Sequence, residues 1–251
     1  MKKHLLLLTT SILCLGFVPA FAQMGGPPTG PKFDGALAKV FGDNTAFTAA
    51  LESQITPKSG ETITMPGKIS FDAGKSRIEI NLSDAKGLPM PPGAVEQMKS
   101  MGLDQIITIS LPEKKSVYMA FPGLQSYAET PLPNAVAGTN QDFTVKTTEL
   151  GKETVNGHPC VQNKVIVTDG KGVAKEFTVW NATDLKNFPV RIVLAEPDAG
   201  ITMNFSNIVL AKPAATTFDL PKGYTHYDNM QTMMQTEMMK KMTGGMGLPG
   251  H

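Results

Sequence analysis

The chain has 251 residues, a formal net charge of +1, 41% hydrophobic residues and two cysteines. A near-neutral balance offers no basic surface for nucleic acid or anionic lipid, and so few cysteines exclude a small domain stapled by disulfides. The fold must rest on a hydrophobic core, which a chain of this length can build as one large all-β domain with tails.

Residues 1–22 read as a secretory signal peptide. Lys2 and Lys3 give the positive start, Leu5 to Val18 the apolar run, and Ala20-Phe21-Ala22 a small-x-small cleavage site. That run is too short for a comfortable membrane span and no later stretch is long enough, so a periplasmic or secreted protein with no transmembrane span after processing is expected. Ser11-Ile12-Leu13 before Cys14 does not make a lipoprotein cleavage box, and cleavage after Ala22 leaves Cys160 as the single cysteine. Residues 23–32 are dominated by Gly and Pro and read as a flexible arm. The domain proper spans residues 33–227. It begins with Phe33, Leu37, Val40 and Phe41 at helical spacing and Gly42 as a stop, which predicts a short N-terminal helix.

From Ala46 onward the apolar period is two. Ile69/Phe71, Ile78/Ile80/Leu82, Ile107/Ile109/Leu111, Val117/Met119/Phe121, Val165/Val167, Phe177/Val179, Val190/Ile192/Leu194 and Ile201/Met203/Phe205 alternate with polar or small residues. Turn chemistry separates them at Asp72-Ala73-Gly74, Pro112 to Lys115, Asn156-Gly157, Asp169 to Gly172 and Pro197 to Gly200. Short connections join neighbours, which predicts a mainly β protein with an antiparallel meander of about ten strands. One insertion interrupts it. Pro91-Pro92, then Val95, Met98 and Met101, then Gly102, predict a helix laid across the sheet as a lid. Near the C-terminus, seven of the 15 methionines fall in the last 22 residues. They predict a Met-rich helix over residues 228–243, followed by a Gly/Pro-rich tail at 244–251.

Several strings resemble the LolA-like half-barrel superfamily of bacterial envelope proteins, in an uncharacterised exported branch rather than the lipoprotein carrier itself. They are Lys68-Ile69-Ser70-Phe71 with Gly74 to Ile80, Lys152 to Cys160, Val179-Trp180 with Phe188-Pro189-Val190, and Phe218 to Tyr224. The resemblance covers roughly residues 46–225 and implies an open β half-barrel with lid or plug helices and an apolar concave face. It further implies a non-enzymatic protein that binds an acyl chain, a lipid or the tail of a lipidated protein, with Arg77 as the positional match to the carrier's cargo-handling arginine. Val95, Met98 and Met101 on the inserted helix are the expected lid contacts. An envelope sensor or scaffold that docks a partner protein is the rival reading.

The Met-rich helix has three readings. On a helix, Met230, Met234, Met238 and Met242 form an i, i+4 stripe, which suits packing against the sheet, adaptive binding of an apolar partner, or Cu(I) or Ag(I) held by thioethers with help from His226 and His251. His158 and Cys160 are two apart on a strand and share a face, the minimal arrangement for a thiolate and its base, although a cysteine opening an apolar strand is more simply buried. Gly74-Lys75-Ser76 lacks the first glycine and the strand–loop–helix setting of a phosphate loop, and no metallopeptidase, serine-hydrolase or paired-cysteine motif occurs. No catalytic residue and no resident cofactor are expected.

Overall fold

A computed structural model describes residues 35–58, 60–132, 143–196 and 199–244. The signal peptide, the Gly/Pro arm, Phe33, Pro197-Asp198 and the tail from residue 245 lie outside the described residues.

Among the described residues, twelve strands form a single sheet. The first six are β1 (Ala46–Pro57), β2 (Ile63–Asp72), β3 (Lys75–Asn81), β4 (Gln105–Leu111), β5 (Ser116–Phe121) and β6 (Ser126–Pro131), and each lies beside its predecessor. A second run, β7 (Thr144–Val155), β8 (His158–Thr168), β9 (Ala174–Ala182), β10 (Phe188–Ala195) and β11 (Ala199–Val209), does the same, and β11 pairs with β1 to join the two. β12 (Thr225–Tyr227) adds a parallel edge to β6. The single meander of about ten strands expected from the sequence is thus two antiparallel meanders and a parallel edge, twelve strands in all. Two expected turns are two-residue hairpins. Ala73-Gly74 and Asn156-Gly157 all have positive φ, and their strands pair directly at Asp72 with Lys75 and at Val155 with His158.

The register defines two faces. Met65, Ile69 and Phe71 of β2 lie on the same face as Ile78 and Ile80 of β3 and Ile106 of β4. All three helices pack here. α1 (Gly35–Val40) covers the half formed by β1, β2 and β8–β11, while α2 (Ala94–Met101) and α3 (Met230–Gly244) cover the half formed by β2–β6. On the opposite face Ile107, Ile109 and Leu111 of β4 meet Tyr118 and Tyr127, and Phe218 and Leu220 cover them. β4 is therefore buried on both sides rather than on one. Leu82, expected to close β3, sits instead in a 3-10 turn, Leu82–Asp84, fully buried beneath the helices.

Candidate functional site

The half of the sheet under α2 and α3 is lined with thioethers. Met65, Met98 and Met233 are buried in it, and Met90, Met101, Met119, Met230, Met234 and Met238 pack around them, half-buried, with Leu82, Ile106 and Phe121. Methionine has three free torsions and a polarizable sulfur, so such a surface adapts to the shape laid on it.

The two helices are held differently. Gly102, in the left-handed conformation at φ 74°, stops α2 and donates its N–H to Lys99 and Met98. Its backbone lies so close to Gly123, in the turn between β5 and β6, that a Cβ on Gly102 would come within 2.5 Å of that backbone. α2 is clamped by backbone contact that no side chain can enter. α3 begins at Asn229, whose side chain accepts a hydrogen bond from the Thr232 N–H at 2.8 Å. Its packed face carries one polar group, Glu237. This buried carboxylate accepts hydrogen bonds from Ser126 Oγ of β6 at 3.0 Å, Tyr227 Oη of β12 at 2.6 Å and Lys240 Nζ at 2.8 Å. Burial opposes its ionisation, but the hydrogen bonds from Lys240, Tyr227 and Ser126 outweigh that and hold the carboxyl below its ordinary range. Hydrogen bonds to Glu237 and Tyr227 in turn raise the Lys240 ammonium above its usual range.

Tyr227 has a neighbour that points the other way. His226 stacks on Tyr127 at 5.0 Å and places Nε2 3.3 Å from Glu129, which also accepts from Ser116 and Tyr118 on the opposite face. Three-residue β12 is thus anchored on both faces of the sheet, and through Tyr227 it holds α3 on one of them. At the seam between the two halves, Ser53 pairs with Met65 and Met203 across the strands, and its fully buried Oγ has no hydrogen-bond partner among the described residues.

The residues singled out from the sequence divide between the faces. Met98 is buried under α2, Met101 is half-buried beside it, and Val95 is half-buried. Arg77 does not join them. It pairs with Ile109 on the opposite face, bonds Glu79 at 2.6 Å and reaches the Thr217 carbonyl at 3.5 Å. An open groove of about 380 Å³ across β2–β4 is lined by polar and apolar residues together, Lys68, Glu79, Asn81 and Gln105 beside Pro66 and Ile107. Of the Met stripe, Met230, Met234 and Met238 pack on the sheet while Met242 is 71% exposed, so the four do not converge. His226 is taken up by Glu129 and Tyr127, and His251 lies outside the described residues. Cys160 is buried, burial pushes its thiol up, and its S–H donates to the His158 carbonyl, while the His158 ring bonds Asp184 at 2.9 Å. Glu237 escaped the sequence reading, although its spacing from Met230, Met233 and Met234 put it on the packed face.

No family model matches the chain, and no curated protein matches it. The chain is similar to LolA superfamily proteins. A member from Nitrosomonas europaea matches with 8% identity and a TM-score of 0.42, covering 72% of this chain and 93% of that one. The Mycobacterium tuberculosis lipoprotein LppX matches with 13% identity and a TM-score of 0.40, covering 68% and 92%. LprF from Mycobacterium bovis matches with 12% identity and a TM-score of 0.35, covering 72% and 95%. Among the described residues no helix is long and apolar enough to cross a membrane.

Proposed function

We propose that the protein is a non-enzymatic binding protein of the periplasm or secreted space, whose ligand is a flexible apolar chain such as an acyl chain, a lipid or a lipoprotein tail. The ligand takes the place of α3 on the methionine-lined half of the sheet. The observation that carries this reading is the nature of α3's attachment, an adaptable layer of thioethers closed by one polar hub at Glu237. A surface that a Met helix covers can also be covered by an acyl chain, because both are unbranched and conformationally loose. Ser53, buried at the edge of that surface without a partner among the described residues, gives the ligand's polar end a hydroxyl to meet.

Titration with a fluorescent fatty acid, alongside native mass spectrometry of protein isolated from the cell envelope, tests the proposal. Uptake should saturate in the full chain and strengthen when residues 228–251 are deleted. A chain that carries no lipid and shows no saturable uptake in either form contradicts it. A second reading, an envelope scaffold, draws on Met239 and Met242, which are 66% and 71% exposed on the outer side of α3. Under it, the same deletion abolishes cross-linking to an envelope protein without changing fatty-acid uptake.

A further inference from the structure

Every apolar side chain that α3 contributes to the sheet is a methionine: Met230, Met233, Met234 and Met238. Met233 is fully buried, whereas Met230, Met234 and Met238 are half-buried at the rim of the contact, where a small oxidant can reach them while the helix is docked. We propose that Met230, Met234 and Met238 are sulfoxidation sites and that their oxidation releases α3 from the sheet. The oxidant is a peroxide or hypochlorous acid. Its electrophilic oxygen is transferred to the thioether, and sulfur gives up two electrons to form the S=O bond. The O–O bond breaks to leave water from hydrogen peroxide or an alcohol from an organic one, or the O–Cl bond to leave chloride and a proton released to solvent.

The consequence follows from what the sulfur touches. A sulfoxide is polar, and at these positions it would face Met65, Leu82, Ile106 and Phe121, which offer it no donor. A leucine-faced helix would be indifferent to the same oxidant. Here every apolar anchor is a thioether, three of the four within reach of the oxidant, and what remains is polar: the Glu237 hub, the Asn229 cap and the Lys241 bond to the Ser100 carbonyl. Release bares Met233 and the sheet beneath it. A reductase acting on methionine sulfoxide restores the thioether and the docked helix. Nothing in this requires a ligand, so it stands or falls separately from fatty-acid uptake.

Treating the full chain with hydrogen peroxide tests it, with peptide masses locating each added oxygen and hydrogen exchange reporting on residues 230–244. Oxygen should appear at Met230, Met234 and Met238, and the α3 amides should then exchange about tenfold faster or more, while β10 and β11 are unchanged. Sulfoxide reductase should reverse both changes in the wild type, a readout that needs no variant. The triple change Met230→Leu, Met234→Leu, Met238→Leu should keep α3 protected under peroxide, and Met239→Leu with Met242→Leu should not. The proposal is overturned if those three methionines resist oxidation in the folded chain, if α3 stays protected once they are oxidised, or if the triple variant loses protection under peroxide as the wild type does.

Discussion

The two halves of the helix-bearing face share a sheet, a register and an alternating pattern, yet they are packed with different materials. Under α1, the rings of Phe41, Phe47, Phe71, Phe188 and Phe205 lie 4.8–6.3 Å apart in stacked and edge-on pairs, with Val179 and Ile192 fully buried around them. Such rings have few rotamers and fixed pair geometry, so this half has one way to pack. Under α2 and α3 the filling mixes leucine, isoleucine and phenylalanine with nine methionines, whose many rotamers lie close in energy. The contrast teaches that burial alone does not decide which part of a core can open. Leu37 and Met233 are equally hidden, but one belongs to an element closed by aromatic rings and the other to a helix held by methionines and one carboxylate.

The sharpest way to break the contrast is to hollow the rigid half. Phe188→Ala removes a ring that is fully buried and touches Phe41, Phe47 and Phe205. It should cost about 3–5 kcal/mol and unfold the chain as a unit, measured by urea denaturation. A loss confined to α1 would mean that the aromatic half is not the structural keel.

A smaller and local effect is expected at the hub. Glu237→Ala leaves the half-buried Tyr227 hydroxyl without its acceptor, while Ser126 Oγ keeps the Leu124 carbonyl at 3.1 Å; the loss, about 1–3 kcal/mol, should appear as faster hydrogen exchange in α3 with little change in β10 and β11. pH should act through the same group. Because the docked carboxyl is held below its free value, its contribution to docking is complete above the ordinary glutamate range near 4.5 and is lost as pH falls through the lower, docked value. Exchange in α3 should therefore quicken on acidification in the wild type and lose that pH dependence in Glu237→Ala.

The smallest effect is expected at the seam. Ser53→Ala removes a buried hydroxyl with no partner among the described residues and should change stability by less than about 1 kcal/mol, in the stabilising direction that removing an unsatisfied group allows. It should nevertheless weaken binding of a fatty acid relative to the matching hydrocarbon, as titration with both would reveal.

Much of the frame was legible before the coordinates. Asn156-Gly157 marks a hairpin because positive φ suits both residues, Gly74 marks another although Ala73 beside it takes positive φ unfavourably, and Gly102 marks the end of α2 as a glycine at positive φ. α3 was read from its methionine stripe to within two residues at either end. Three features resisted. β7 is exposed along almost its whole length, so its sequence has no apolar alternation to follow, and β12 is too short to have a period. β4 carries isoleucines on both faces, and a one-sided pattern assigns only one of them. Arg77, matched by family resemblance to a cargo-handling arginine, stands between Ser76 and Ile78, a position that puts it on the face away from Ile78 and Ile80.

Hydrogen exchange of the full chain with and without a long-chain fatty acid tests the central claim most directly. Without ligand, the α3 amides should exchange through a local opening well below the global unfolding free energy, and those of β10 and β11 only through global unfolding. With fatty acid, protection should change in α3, α2 and β3–β6 and stay constant in α1 and β8–β11. Exchange of α3 at the global rate, or ligand-dependent protection centred on the aromatic half, would contradict the account.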